Sequence, residues 1–127
     1  MNYIRFEEVI DFHDRLIKKY GGHSGIRDLG LLISAINMPK QTFGGKDLHI
    51  SVQEKALAYL YHIIKNHAFM DGNKRTGVFV FLVFLKRNNA TYDFEGKELE
   101  EIAVAIADNK INKTDLAILF RKKTFNF

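Results

Sequence analysis

A nine-residue segment, His67-Ala68-Phe69-Met70-Asp71-Gly72-Asn73-Lys74-Arg75, combines the side chains that phosphate chemistry requires. An imidazole can move a proton, a carboxylate can hold a hard metal ion, and cations can bind phosphate oxygens. Gly72 would let the backbone approach a ligand closely, because it has no Cβ. These functions together predict a nucleotide-dependent transfer of a group onto a hydroxyl, a reaction that depends mainly on positioning and charge.

The helix that should follow this segment would add an anion site. If it begins near Asn73, its first backbone N–H groups have no intrahelical acceptor and carry the positive end of the helix dipole. Lys74 would add a point charge and Arg75 a planar fork of donors. The segment lacks the spacing of a Walker P-loop and the paired histidines of a zinc protease. The sequence therefore predicts a phosphate site of a different type.

Three other residues of the segment have separate predicted roles. Asp71 offers an oxygen ligand for Mg²⁺ on a nucleotide's phosphates. His67 could reach across the loop as general base for an incoming hydroxyl, and Phe69 should anchor the loop in the core. Each residue alone has an ordinary structural explanation as a cap, turn or surface charge. Five specified positions at about 5% usage each recur by chance less than about once per million starts, which favours a functional site.

Helical periodicity dominates the rest of the chain. The flap predicted at residues 38–50 is a hairpin around Gly44-Gly45, and Ser51 with Glu54 should form a capping box. Residues 91–94 could form a short extended piece. The predicted helices cover residues 6–20, 28–37, 51–65, 76–87, 96–108 and 114–122.

The apolar run from Val78 to Leu85 is ambiguous. Its β-propensity would suit a buried strand, and periodicity alone does not exclude one. We favour a fully buried central helix, because no second strand of similar strength is present for pairing. The predicted class is all-α, a compact single domain over residues 1–127 with about six helices and a small flap hairpin.

Composition narrows the functional classes. The chain has 127 residues, is 46% hydrophobic and contains no cysteine, which excludes disulfides and thiolate chemistry and fits a reducing cytoplasm. Acidic residues occur too early for a signal peptide, and an eight-residue apolar run is too short to span a membrane. The net charge of +4 comes from basic pairs near predicted helix ends, without a basic stripe interleaved with aromatics. Neither a membrane nor a nucleic acid is therefore expected as a partner.

The motif His67-x-Phe69-x-Asp71-Gly72-Asn73-Lys74-Arg75 resembles the signature of the Fic/Doc superfamily, specifically its death-on-curing (Doc) toxin branch. The resemblance extends to His13-Asp14, to Tyr20-Gly21-Gly22 and to residues 25–32, and it covers essentially the whole chain. It implies an all-α fold and a toxin of a type II toxin–antitoxin system. It also implies that the flap docks a target peptide by strand addition.

The resemblance assigns a role to each motif position. Lys74 is the residue that selects the chemistry: AMP-transferring Fic enzymes usually have glycine there, whereas Doc toxins have lysine and present the γ-phosphate of a reversed nucleotide. The implied roles are catalysis for His67, Lys74 and Arg75, magnesium binding for Asp71, and nucleotide binding for Gly72, Asn73, Lys74 and Arg75.

The resemblance thus implies a kinase-like toxin that uses ATP and Mg²⁺ to phosphorylate a threonine of elongation factor Tu and so halts translation. An antitoxin that folds on binding would neutralise it in trans. Two alternatives are open: a Fic-type nucleotidyl transferase that AMPylates a protein hydroxyl, and a helical binding module without activity. The second is disfavoured, since every motif position holds a chemically competent residue.

Overall fold

The computed structural model describes residues 1–123, and within them the chain forms six α-helices and one small hairpin. The all-α class and the flap hairpin are confirmed. A 3₁₀ turn at Met38–Lys40 leads into antiparallel strands β1 (Thr42–Phe43) and β2 (Lys46–Asp47). None of the helices in this range has the length and apolar character needed to cross a membrane. The helices are α1 (Phe6–Tyr20), α2 (Leu29–Asn37), α3 (Val52–Asn66), α4 (Asn73–Arg87), α5 (Gly96–Ala107) and α6 (Lys113–Lys123).

Side-chain caps account for several helix starts. The Asp28 carboxylate accepts a hydrogen bond from the Leu31 N–H before α2, and the Ser51 hydroxyl accepts one from the Glu54 N–H before α3. Glu54 does not complete the predicted capping box, because its carboxylate accepts from the N–H of Ile50, one residue before Ser51. The cap therefore also fixes the end of the flap to α3.

The segment from Val78 to Leu85 is helical, as expected. It belongs to α4, which packs against α3. It is not buried all round, since Phe79 is 37% exposed, while Val80 and Phe84 are fully buried. The extended piece considered for residues 91–94 forms no strand. Its aromatic residues favoured a strand by propensity, but the Tyr92 ring packs edge-on against Phe81 of α4 instead.

Gly77 allows α3 and α4 to pack closely. A Cβ at this position would lie 2.7 Å from Ile64 Cγ1 and 3.3 Å from the Leu60 carbonyl oxygen, so the two helices would have to separate. We expect Gly77→Ala to lower the free energy of unfolding by about 1–3 kcal/mol, despite the better helix propensity of alanine. Denaturant unfolding would measure the change. Gly96→Ala is the matched control, because a Cβ there meets open space at the start of α5, and it should be neutral or slightly stabilising.

The core is a continuous cluster of buried side chains to which all six helices contribute. Outside it, a bidentate ion pair joins α1 to the end of α4. Arg87 Nη2 donates to Glu8 Oε2 at 2.7 Å and Nη1 donates to Oε1 at 3.1 Å. The hydrogen bonds from Arg87 lower the pKa of Glu8 from its ordinary 4.5 to about 2. Deprotonated Glu8 therefore stabilises the folded chain.

Removing the Glu8 carboxylate should make the free energy of unfolding less dependent on pH in the acidic range. A carboxylate whose pKa is lower in the folded chain contributes stability above the unfolded value of 4.5 and loses it as the pH falls toward about 2. We expect Glu8→Gln to lower the unfolding free energy at pH 7 by about 2 kcal/mol, with the difference shrinking across that acid window. Urea unfolding at a series of pH values would measure it. Glu7→Gln, at an exposed neighbouring position, should cause little change at any pH.

Candidate active site

The predicted motif forms the loop between α3 and α4. His67 ends α3 in the left-handed conformation, with φ 48° and ψ 48°, and Gly72 precedes α4 with φ 77°. The helix then begins at Asn73, as the anion-site argument supposed, and three residues before the start at residue 76 that periodicity indicated. Ala68 and Phe69 between these turns are buried, so the expected anchoring role of Phe69 is confirmed. The loop therefore presents its polar residues from a fixed apolar base.

The segment between α1 and α2 holds the first half of this loop. Ile26 pairs with Phe69 in an antiparallel bridge, and the Met70 N–H donates to the Gly25 carbonyl. The Arg27 side chain caps the end of α3, because its Nε donates to the His67 carbonyl at 2.7 Å and its Nη2 donates to the Asn66 carbonyl. These bonds satisfy carbonyls that the helix end would leave unpaired. His67 is thus fixed by a residue 40 positions away.

His13 of α1 supports the second half of the loop. Its ring stacks on Phe69 with centroids 3.7 Å apart, and it is almost fully buried. Its Nε2 donates to the Asp71 carbonyl oxygen at 2.8 Å, since a carbonyl can only accept. His13 therefore fixes both the buried aromatic residue and the peptide that precedes Gly72.

The Asp71 carboxylate is exposed but held in place by two backbone donors. Its Oδ2 accepts from the His23 N–H at 3.2 Å and its Oδ1 from the Gly72 N–H at 2.8 Å. These hydrogen bonds, that from His23 first, lower the pKa of Asp71 and keep it ionised. Gly22 leaves space for it, because a Cβ on Gly22 would lie 2.6 Å from Asp71 Oδ2. The carboxylate is therefore preformed as a charged oxygen ligand.

Asp71 could hold a metal ion only together with ligands from another molecule. No cluster of three or more histidine, aspartate or glutamate side chains that could hold a metal exists within residues 1–123. A single carboxylate suits Mg²⁺, which keeps several waters and is commonly bound by one or two carboxylates plus substrate phosphates. The donor set fits that ion in the presence of a nucleotide.

The two cations of the motif lie in the first turn of α4. Both side chains are exposed, and the Arg75 guanidinium lies over the Tyr20 ring with Cζ 4.3 Å from its centroid. This cation–π contact fixes Arg75 without using its N–H donors. The positive charge of Lys74 contributes to lowering the pKa of Asp71. The start of α4 therefore combines free backbone N–H groups with two cations.

A cavity of about 660 Å³ extends from this site along α4. Its lining residues are the motif segment 71–75, apolar side chains that include Leu16 of α1, Leu82 of α4 and Ala103 of α5, and Glu100 of α5. Its volume lies in the range of small-molecule sites. His67 is not among its lining residues.

Asn73 faces into the loop. Its side chain is 5% exposed; Oδ1 accepts from the Phe69 N–H at 3.0 Å, and Nδ2 donates to the Phe69 carbonyl at 3.0 Å. Nδ2 also lies 2.9 Å from His67 Nδ1. The Asn73 amide is therefore used within the loop, and the phosphate contact expected of this residue stays a prediction for its backbone N–H.

A known protein family matches the part of the chain that contains this site. The model of the Fic/DOC family matches residues 3–85. This chain belongs to the Fic/DOC family. It is 31% identical over 122 residues to the protein kinase doc of Escherichia phage P1, covering 96% of this chain and 95% of that protein. It is 33% identical over 100 residues to the toxin Doc of Mycolicibacterium smegmatis (strain ATCC 700084 / mc(2)155), covering 77% of each.

In this member of the Fic/DOC family, the structure brings all the predicted motif residues into one loop and helix start. It also shows supporting residues whose roles the sequence did not indicate. Three of the four lie in segments that carry the family resemblance, His23 lies outside those segments, and nothing in their spacing connects them to a loop 40 to 58 positions later. These supporting residues are His13, Gly22, His23 and Arg27.

The flap of this Fic/DOC protein is exposed at its tip and held at its base. Phe43 is 82% exposed. Buried Lys55 of α3 donates to the Pro39 carbonyl and to Asp47 Oδ2, both at 3.2 Å. Lys113 of α6 donates to His49 Nε2 at 2.7 Å, and burial followed by the Lys113 charge lowers the pKa of His49. Two lysines thus position the flap from separate helices.

Proposed function

We propose that this chain transfers the γ-phosphoryl group of ATP to a hydroxyl of a protein target. The observation that carries the proposal is a single loop that joins His67, the ionised carboxylate of Asp71 and the cationic start of α4. The adjoining cavity is lined by the motif residues 71–75, which would suit a nucleotide's phosphates, and by mostly apolar side chains of α1, α4 and α5, which would suit its base. The name of the phage P1 relative, protein kinase doc, favours phosphoryl transfer.

The residues would divide the work of holding the nucleotide. Phosphate oxygens would accept hydrogen bonds from the backbone N–H groups of the first turn of α4, beginning at Asn73, with Lys74 and Arg75 supplying charge. The Gly72 N–H already donates to Asp71 Oδ1, so Gly72 would contribute by letting the backbone approach the nucleotide closely. Asp71 would hold Mg²⁺, which supplies charge neutralisation at the phosphates. Preformed positive charge is the main requirement of this reaction, because the transition state spreads negative charge over the transferring group.

The transfer itself would proceed next to His67. The target hydroxyl oxygen forms a bond to the γ-phosphorus, the bond to the oxygen bridging the β- and γ-phosphorus breaks, and ADP leaves. The hydroxyl proton is taken up by the His67 imidazole, acting as general base. Lys74 lies beside Asp71 in the same turn, where its charge would stabilise the phosphoryl oxygens during transfer.

The partners follow from the resemblance to Doc toxins and from the flap. The exposed flap would bind an extended peptide at the edge of its hairpin. The hydrogen bonds from Lys55 and Lys113 would keep that edge in position. Within this proposal, the target is a threonine of elongation factor Tu, the site of action is the cytoplasm, and an antitoxin neutralises the chain in trans. Nucleotidyl transfer (AMPylation) is the alternative reaction at the same site.

Lys74 distinguishes the two reactions. We expect Lys74→Ala to reduce phosphoryl transfer at least about tenfold, since it removes a charge next to the transferring group. The measurement is the intact mass of the target after incubation with ATP, Mg²⁺ and the chain. Lys97→Ala, at an exposed position outside the cavity, should leave the rate unchanged. An undiminished rate for Lys74→Ala would contradict the role assigned to this side chain.

A further inference from the structure

We propose that Asn73 is a positioning residue that keeps neutral His67 protonated on Nε2, so that the ring meets its ligand as a hydrogen-bond donor. The inference rests on the geometry of the loop. Its consequence for catalysis rests on the proposed function.

The orientation of the Asn73 amide is fixed by backbone groups that cannot exchange roles. The Phe69 N–H can only donate, so the atom facing it at 3.0 Å must be Oδ1. The Phe69 carbonyl can only accept, so the atom facing it at 3.0 Å must be Nδ2. Reversing the amide would place two donors together at one contact and two acceptors at the other. Because the Asn73 side chain is buried, both mismatched contacts would be unfavourable in free energy.

The fixed amide determines the proton on the histidine. One Nδ2 hydrogen binds the Phe69 carbonyl, and the other points to His67 Nδ1 at 2.9 Å. Nδ1 must then be the acceptor, and a neutral imidazole carries its single proton on the other nitrogen. The left-handed backbone of His67 and the Arg27 bond to its carbonyl hold the ring at this distance.

The consequence is that proton uptake by His67 is coupled to the loop. In this arrangement the exposed Nε2–H can donate to an oxygen of the target hydroxyl or of the phosphoryl group. The ring can take up the hydroxyl proton at Nδ1 only after the bond from Asn73 is broken. The ring can take up the hydroxyl proton at Nε2 only if the proton already on Nε2 is replaced by one on Nδ1. A proton on Nδ1 would face the Asn73 N–H. Binding of substrates must therefore release this hydrogen bond before His67 acts as a base.

Nitrogen NMR of the nucleotide-free full chain, at a pH where the ring is neutral, tests the inference directly. The His67 signals are identified by their loss in His67→Ala. We expect the Nε2–H form of His67 to exceed the Nδ1–H form at least tenfold, with Nδ1 shifted as a hydrogen-bonded acceptor. His49 and His62 serve as internal references of the opposite kind, because each accepts from Lys113 through Nε2 and so carries its proton on Nδ1.

Asn73→Asp separates this assignment from the intrinsic preference of a free imidazole. A carboxylate next to Nδ1 can only accept, so it should draw the proton to Nδ1 and reverse the ratio of the two forms. Signals of His49 and His62 should stay unchanged. A wild-type ring protonated mainly on Nδ1, or an Nδ1 without the shift of a hydrogen-bonded acceptor, would overturn the proposal. So would a folded Asn73→Asp variant with an unchanged ratio; if that variant does not fold, the wild-type shift of Nδ1 decides. The measurement uses no nucleotide, so its outcome is independent of whether the proposed transfer occurs.

Discussion

Replacing His67 with alanine should reduce transfer to the protein target by about 10²- to 10⁴-fold, the usual contribution of a positioned acid–base group. The residue is exposed, and its ring contacts the loop through Asn73 Nδ2, so the fold should survive its loss. Initial rates with ATP and target would measure the loss, and circular dichroism would confirm that the variant is helical.

A second variant separates the imidazole from the backbone at this position. His67 has φ 48°, a left-handed conformation that asparagine adopts more easily than alanine. We expect His67→Asn to be as inactive as His67→Ala, because both lack the ring. Activity in His67→Asn but not in His67→Ala would show that backbone strain, and not loss of the imidazole, causes the defect.

Gly22→Ala should disable the site from a position outside the motif. The added Cβ would lie 2.6 Å from Asp71 Oδ2, and the φ of +118° is one that alanine rarely adopts. We expect the carboxylate to move and transfer to fall at least about tenfold, with a loss of about 1–3 kcal/mol in unfolding free energy. Rates measured across a magnesium titration would show whether metal dependence weakens with the rate.

Gly21→Ala is the matched control. It has a φ of +86°, so it shares the backbone strain, but a Cβ there meets nothing within 4 Å. It should lose stability as Gly22→Ala does while keeping its transfer rate. Equal loss of activity in both variants would assign the effect to strain in the loop and not to displacement of Asp71.

The fold was predictable where local chemistry determines it. The end of α3 lies within one residue of its predicted position, whereas α4 begins at Asn73, three residues before the start that periodicity indicated. The helical state of residues 78–85 followed from the absence of a second strand and from the resemblance to an all-α family, because their side chains suit either structure. Residues 91–94 show the opposite case: their strand propensity was outweighed by packing of aromatic rings on neighbouring helices.

The residues of the candidate site were predictable, but their supporting contacts were not. A motif of nine positions indicates which residues belong together, since each needs the others chemically. No local pattern connects His13 to Asp71 or Gly22 to the same carboxylate, because these contacts depend on how α1 and its following turn pack against the loop. The direction of the Asn73 side chain was likewise set by the Phe69 backbone and not by the type of residue.

Transfer of label from ATP to the protein target tests the proposed reaction most directly. The purified chain, Mg²⁺ and elongation factor Tu would be incubated in parallel with ATP labelled at the γ-phosphorus and ATP labelled at the α-phosphorus. If the chain transfers the γ-phosphoryl group, only the γ label should reach the target. His67→Ala should abolish incorporation of that label. Incorporation of the α label would contradict phosphoryl transfer and show that the same site moves a nucleotide.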